Sequence, residues 1–185
     1  LLFTLPSETY LHEQVQVVNP QEIHQARNRF RKSLATSLKD TWINIYKTHQ
    51  TPGDYSPEGA HSAKRALKNL ALQMILENDL QDGSALAKTQ FESSNNMTDR
   101  LAAMSNLVYF DSPEANVCLN SFYEQYKNDD LAIDKWFMIQ SSRPVNNQEN
   151  IVPALEQLLK HPAFKMRNPN RVRSVIHAFC MNNPS

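Results

Sequence analysis

The sequence predicts an all-α protein, an irregular α-solenoid in which antiparallel helix pairs stack, with a compact α-bundle as the alternative. Only three glycines occur in 185 residues, and the alternation of Val, Ile and Thr that is typical of strands is absent. A capping residue followed by proline, which is typical of a helix start, occurs at several places. These are Asn19-Pro20, Ser56-Pro57, Ser112-Pro113 and Asn168-Pro169. Because no repeat of fixed period is recognisable, the predicted solenoid is irregular.

The N-terminal half predicts a short helix followed by two long ones. Leu1 to Gln16 are expected to form a connecting loop and a short amphipathic helix from Glu8. The first long helix begins at Asn19-Pro20 and extends to about His49, because apolar residues recur at steps of three and four. These apolar residues are Ile23, Ala26, Phe30, Leu34, Leu38, Trp42 and Ile45. The second long helix follows Ser56, and its second half is apolar on several sides, which predicts burial between neighbours.

Shorter helices are predicted for the rest of the chain. One follows Gly83-Ser84 and extends through Phe91, and two more follow Asn95-Asn96 and Ser112-Pro113. The remaining helices extend over Leu131 to Gln140, over Ile151 to Lys160, and from Asn168 onward. In the helix after Asn96, Asp99 lies three residues beyond the cap and is expected to stabilise the N-terminus. About eight or nine helices, joined by loops of about 3–8 residues, predict antiparallel packing in a single helical domain over residues 1–185.

Composition argues against two classes of partner. Lys and Arg together number 19, as do Asp and Glu, so no net field attracts nucleic acid or an anionic membrane surface. The longest apolar stretch is far shorter than the roughly 20 residues that span a bilayer, and no basic-then-apolar leader opens the chain. We therefore expect a soluble, cytoplasmic protein. Cys118 and Cys180 lie in apolar helical patterns and are expected to be core thiols.

No catalytic or metal-binding constellation is recognisable. His12-Glu13-Gln14-Val15-Gln16 is one residue short of the zinc-binding pattern His-Glu-x-x-His, and a polar helix face is the expected role of this segment. The other histidines have no partner at metal-ligand spacing. The acids Asp129, Asp130 and Asp134 surround a predicted helix start, where capping is more common than catalysis. The sequence thus predicts no catalytic residue, no metal ligand and no cofactor within the chain.

The most informative run is the helix start at Asn168-Pro169, which carries two arginines in its first turns. Asn168 is a good N-cap, and proline is favoured at the first helical position. Arg171 and Arg173 are unexpected there, because the N-terminal end of a helix dipole disfavours cations. An arginine in this place is expected either to pair with an acidic group or to be available for an anion.

Three motifs in series carry a resemblance to a known family. They are Gln90 to Asp99 with Leu101 to Ser105, Asp134 to Gln140, and His161 to Phe179 around Asn168-Pro169-Asn170-Arg171. Weaker similarity runs through Leu5 to Glu8, Asp40 to Tyr46 and Ala63 to Asn69. In this order, and over nearly the whole chain, they resemble the C-terminal helical domain of bacterial aminopeptidase N, a zinc-dependent gluzincin aminopeptidase.

The resemblance implies a larger parent enzyme. In the family, a thermolysin-like catalytic domain with a His-Glu-x-x-His zinc site and a Gly-x-Met-Glu-Asn loop is followed by a small β domain and a superhelical α domain. Neither motif occurs here, so zinc is expected in the parent and not in this chain. The ends at Leu1 and Ser185 are expected to be cuts, which makes the chain an interior fragment of the final domain. Its expected partners are the catalytic domain of the same polypeptide and peptide substrates.

The resemblance also implies a role for the arginines. The domain would cap the catalytic chamber, limit access to small peptides and present polar side chains to the bound substrate. Arg173 is the residue expected to face the chamber and bind substrate carboxylate or carbonyl oxygens, and Arg171 is the second candidate. A salt bridge between helices is the alternative for Arg173.

We expect the isolated chain to be inactive. The alternative for the whole chain is an α-solenoid scaffold that binds a protein partner without catalysis.

Overall fold

The fold is all-α, as predicted. The computed structural model describes residues 4–144 and 152–182, and these residues contain helices and no strand. The first six helices are α1 (Glu8–Glu13), α2 (Pro20–Ser37), α3 (Lys39–Thr48), α4 (Gly59–Asn78), α5 (Leu80–Ser93) and α6 (Met97–Tyr109). They are followed by α7 (Ala115–Tyr126), α8 (Asp130–Ser141) and α9 (Val152–Lys160). A last helix has three segments, which are α10 (Pro169–Val172), a π-helical segment (Arg173–His177) and α11 (Ala178–Asn182).

The chain divides into two compact units, with the boundary in the sequence between Asn106 and Leu107. The expectations that concern Leu1, Ile151 and Ser185 lie outside the described residues. Within the described part, no helix combines the length and the apolar character needed to cross a membrane.

Two of the four predicted helix starts are confirmed. The side chains of Asn19 and Asn168 accept backbone amides of the first helical turn, and a proline follows each of them. Ser56 and Ser112 instead accept the amide two residues further on, at 3.3 Å in both cases. These serines form turns that precede the helices, so α4 and α7 begin later than predicted.

The long helix predicted from Asn19 to His49 is wrong, because the chain breaks between α2 and α3 at Leu38. Leu38 has φ −115° and ψ 26°, which is outside the helical region. The carbonyl of Leu34 accepts both the Leu38 amide and the indole N–H of Trp42, at 3.2 and 3.1 Å. Trp42 is only 1% exposed. The break therefore allows a large side chain to be buried with its polar atom satisfied.

The buried face of α2 also differs from the predicted stripe. Phe30 is 56% exposed, whereas its neighbour Arg31 is 9% exposed and Ala35 is fully buried. The Nε atom of Arg31 donates to Glu77 of α4 at 2.8 Å. Hydrophobic spacing alone could not predict this arrangement, because an arginine can be buried when a carboxylate from another helix neutralises it.

The first unit depends on a close approach of α4 and α5. Gly83 was predicted to precede a helix, but it lies inside α5, which begins earlier with Asp79 as its N-cap. A Cβ atom added at Gly83 would lie 2.7 Å from the Cα atom of Leu76. Such a distance is far below van der Waals contact, so the two helices can cross here only because Gly83 has no side chain.

The core of the second unit is aromatic. Phe122, Trp136 and Phe137 are at most 5% exposed, and the indole N–H of Trp136 donates to the Leu119 carbonyl at 2.9 Å. Cys118 is buried with them, as predicted for a core thiol. The same prediction for Cys180 is wrong. Cys180 is exposed on α11, whereas Ala178 of the same segment is buried.

Substitution of Gly83 tests the helix crossing. We expect Gly83→Ala to lower the free energy of unfolding by about 1–3 kcal/mol, because backbone atoms of α4 must move to accommodate the methyl group. Gly59→Ala is the matched control, since a Cβ there has no neighbour within 4 Å. Urea denaturation of both variants measures the difference, and equal stability of the two would contradict the close crossing.

Candidate functional site

The run at Asn168 forms the helix start that its sequence predicts. The Asn168 side chain accepts the amides of Asn170 and Arg171 at 3.0 and 3.3 Å, which caps α10. The helix then widens into the π-helical segment, which begins at Arg173. Segments of this kind are rare and occur frequently at functional sites. The two candidate arginines therefore lie on either side of the transition from α-helix to π-helix.

Arg171 is buried and surrounded by partners. It is only 2% exposed. Its Nη2 atom donates to Asp130 at 3.0 Å and its Nη1 atom donates to the Ala163 carbonyl at 3.1 Å. Its Nε atom forms an ion pair with Asp134 at 2.7 Å that lacks hydrogen-bond alignment. The guanidinium lies 5.2 Å from the centre of the Phe137 ring, a cation–π distance.

The three acids in the first turns of α8 have two different roles, one as a helix cap and two as partners of Arg171. Asp129 caps α8 by accepting the amides of Leu131 and Ala132 at 3.0 and 3.1 Å, as expected for acids at a helix start. Asp130 and Asp134 instead pair with the arginine. The side chain of Asp134 is 15% exposed and that of Asp130 is 77% exposed, so solvent screens the Asp134 pair less.

Arg173 has the opposite environment. Its side chain is exposed, and it forms no hydrogen bond or ion pair with the residues that the structure describes. On the same helix Arg171, Ser174, Val175 and Ala178 are buried, whereas Ile176, His177 and Cys180 share the exposed side with Arg173. The structure thus separates the two predicted site residues. Arg171 pairs with acids, whereas Arg173 is exposed and has no such partner among the described residues.

His161 completes the surroundings of Arg171. Its ring lies 4.9 Å from the ring of Tyr123 and 5.1 Å from that of Trp136, between centroids. Its Nδ1 atom accepts the amide of Ala163 at 3.1 Å, which requires an unprotonated Nδ1. Burial, followed by the positive charge of Arg171, lowers the pKa of His161. The packing therefore favours the neutral ring, although His161 directly follows the C-terminus of α9, where a helix dipole favours a cation.

The contact between Arg171 and the acids of α8 is the element that the sequence analysis missed. Both partners were recognised separately, but more than 35 residues lie between Asp134 and Arg171. The only signal was the unfavourable position of an arginine in a first helical turn, which called for a carboxylate. In the described part of the chain, no three His, Cys, Asp or Glu side chains lie close enough together to hold a metal ion.

The described residues form successive helices without a strand, and a buried ion pair anchors the last of them, so the chain is of the all-α class. The profile of a protein family described as "Domain of unknown function (DUF3458_C) ARM repeats" matches residues 1–185. The chain therefore belongs to this family. Its armadillo-type repeats are in accord with the predicted solenoid, which is preferred over the compact bundle.

Curated relatives are bacterial aminopeptidases. The chain is 33% identical to aminopeptidase N of Escherichia coli strain K12 over 184 residues, which are 100% of this chain and 21% of that protein. It is 34% identical to aminopeptidase N of Haemophilus influenzae over 183 residues, 99% of this chain and 20% of that protein. The chain thus spans about a fifth of the length of these relatives. The resemblance to aminopeptidase N is confirmed.

A solved structure shares the fold. A crystal structure of Legionella pneumophila aminopeptidase A in complex with aspartic acid superposes with a TM-score of 0.84 at 28% identity. The similar region covers 99% of this chain and 22% of that one. The likeness in sequence and in structure therefore extends over nearly the whole chain and is not limited to single motifs.

Stability measurements distinguish the structural roles of Arg171 and Arg173. We expect Arg171→Ala to lower the free energy of unfolding by about 3–5 kcal/mol, because it leaves the carboxylate of Asp134 largely buried without a cation. Arg173→Ala should change it by no more than about 0.5 kcal/mol, because the exposed side chain has no partner among the described residues. Urea denaturation of both variants measures this. Equal losses would show that Arg173 has a structural partner.

The environment of His161 predicts a pH dependence. Because its pKa in the folded protein is lower than the ordinary 6.5, its contribution to stability is full above about pH 6.5 and decreases as the pH falls below that value. NMR titration of the imidazole should give a pKa below 6.5. His161→Gln removes the titration, so this variant should lose less stability than the original chain between about pH 7.5 and pH 5.5. An equal loss in both proteins would be the contrary outcome.

Proposed function

We propose that this chain is an accessory helical domain of a zinc-dependent aminopeptidase that removes N-terminal amino acids from peptides. Similarity over the whole chain to aminopeptidases about five times its length supports this role. In this proposal, the zinc and the groups that perform hydrolysis belong to another part of the parent enzyme. No step of the reaction is assigned to this chain.

The observation that carries the proposed contribution of the chain is the exposure of Arg173. Its neighbour Arg171 is fully engaged by acids and a carbonyl, whereas Arg173 presents a guanidinium without a partner in the described part of the chain. A guanidinium is planar and offers five donors, which suits carboxylate and carbonyl oxygens. In the proposed function the domain caps the catalytic chamber, limits access to small peptides, and uses Arg173 to bind the substrate.

Arg171 has a positioning role in this proposal. Its contacts with α8 and with the turn before α10 hold the start of the last helix, and therefore the backbone from which Arg173 extends. The buried guanidinium has no exposed surface on which a peptide could bind. We therefore assign substrate contact to Arg173 and its orientation to Arg171.

Kinetics of Arg173→Ala in the complete enzyme test the proposal. We expect kcat/KM for a tripeptide to fall roughly 10- to 100-fold, because a hydrogen bond to a charged group contributes about 1.5–3 kcal/mol. An aminoacyl-anilide, which has neither the carboxylate nor the further carbonyls, should be affected much less. Arg167→Ala is the matched control, since Arg167 is an exposed arginine just before the same helix. Unchanged tripeptide kinetics with a lowered melting temperature would assign Arg173 to structure.

The scaffold alternative predicts a different parent protein. If the chain only binds a protein partner, the parent gene need not encode a His-Glu-x-x-His motif followed by a further glutamate before Leu1. If the gene does encode this motif, the enzyme is favoured over the scaffold. The purified 185-residue chain should not hydrolyse an aminoacyl-anilide, with or without added zinc. Hydrolysis by this chain alone would contradict an accessory role.

A further inference from the structure

The exposed side of the last helix carries a second nitrogen-bearing side chain beside Arg173. His177 ends the π-helical segment that Arg173 begins, and both side chains are exposed. Neither side chain forms a hydrogen bond or an ion pair with the residues that the structure describes. The guanidinium and the imidazole therefore both offer N–H donors to a ligand from solvent.

Helix geometry places these two side chains next to each other. The Ala178 amide donates to the Arg173 carbonyl, so the backbone from Arg173 to Ala178 forms one continuous helical turn. Residues four positions apart on a helix are neighbours, with Cβ atoms about 5–6 Å apart. Because Cα–Cβ bonds tilt toward the N-terminus of a helix, the imidazole of His177 leans toward the turn that carries Arg173. The long arginine side chain can bend toward it, so both groups can reach one small ligand.

The acids of the second unit do not neutralise this pair. Within the described part of that unit, every acidic side chain has another partner or caps a helix. Asp111 pairs with Arg143, Glu114 with Ser112, Glu124 with Lys127, Glu156 with Lys160, and Asp130 and Asp134 with Arg171, while Asp129 caps α8. The positive charge of Arg173 is therefore left for an anion from outside the unit.

Two adjacent donors suit a carboxylate better than a carbonyl group. A carboxylate has two acceptor oxygens, and an imidazole has an N–H donor in both its neutral and its protonated form. Hydrogen bonds between charged groups are roughly twice as strong as those between neutral groups. A peptide carbonyl has one oxygen and no charge, so it leaves the charge of Arg173 without a counterion. In the main chain of a peptide, only the C-terminus carries a carboxylate.

We propose that Arg173 and His177 together bind the C-terminal carboxylate of a short peptide, so the substrate class is short peptides with a free C-terminus. This inference rests on the proposed function, in which Arg173 contacts the substrate. The guanidinium donates to one carboxylate oxygen, and the imidazole N–H donates to the other. A peptide amide replaces one of these oxygens by an N–H₂ donor and removes the charge, so one protein donor is left unpaired.

Kinetics of the complete enzyme with trialanine and trialaninamide test the proposal. The measured quantity is the ratio of kcat/KM for trialanine to kcat/KM for trialaninamide. We expect His177→Ala to lower this ratio about three- to tenfold, because one hydrogen bond to the carboxylate is lost. Arg173→Ala should lower it roughly 10- to 100-fold, because a charged partner is lost. His177→Gln keeps a side-chain N–H donor and should keep the ratio within about twofold of the original.

Lys165→Ala is the matched control for a general effect of charge. Lys165 is an exposed cation in the segment before the same helix, and this variant should have the original ratio. Circular dichroism and melting temperatures check that all variants are folded.

The outcomes distinguish this inference from the proposed function. If Arg173→Ala lowers the ratio and His177→Ala does not, Arg173 binds the substrate alone, and only the joint site is overturned. If His177→Ala lowers kcat/KM equally for both peptides together with the melting temperature, His177 is structural, and the joint site is again overturned. If Arg173→Ala leaves kcat/KM for trialanine at the original value, the proposed function of Arg173 is itself wrong.

Discussion

The guanidinium of Arg171 joins separate stretches of the second unit. It contacts Asp130 and Asp134 of α8 and the carbonyl of Ala163 in the turn before α10. Successive residues of an α-helix are about 100° apart, so residues two positions apart lie on nearly opposite sides. Burial of Arg171 therefore directs Arg173 away from the core. The exposure of the proposed substrate-binding residue depends on this one buried ion pair.

A buried ion pair is a costly way to stabilise a fold, and its main effect here is on geometry. Desolvation of the charges offsets much of their attraction, and apolar residues of similar volume often stabilise as well. A guanidinium held by two carboxylates and a carbonyl, however, permits only one register between the helices that carry them. The first unit uses a second pair, in which the buried Lys68 of α4 binds Asp99 of α6 at 2.7 Å.

Local signals in the sequence predicted the elements well where capping chemistry was complete. Asn19 and Asn168 satisfy backbone amides within their own first turn, so three or four adjacent residues contain all the necessary information. The prediction failed where a partner distant in sequence decides. Phe30 is exposed and Arg31 is buried because Glu77 of another helix neutralises the arginine. Inside α5, position 83 must be glycine because the backbone of α4 occupies the space that a side chain would need.

By itself, the sequence determined the helical class, the capped start at Asn168, and the resemblance to the helical domain of aminopeptidase N, which rests on several motifs in series. It also identified Arg171 and Arg173 as unusual, because the helix dipole disfavours both. Only the tertiary structure decided that they differ. Asp130 and Asp134 are distant from both arginines in sequence, but the fold brings them within pairing distance of Arg171. Electrostatic attraction depends on distance in space, and the helix periodicity places Arg173 on the other side of the helix, away from these carboxylates.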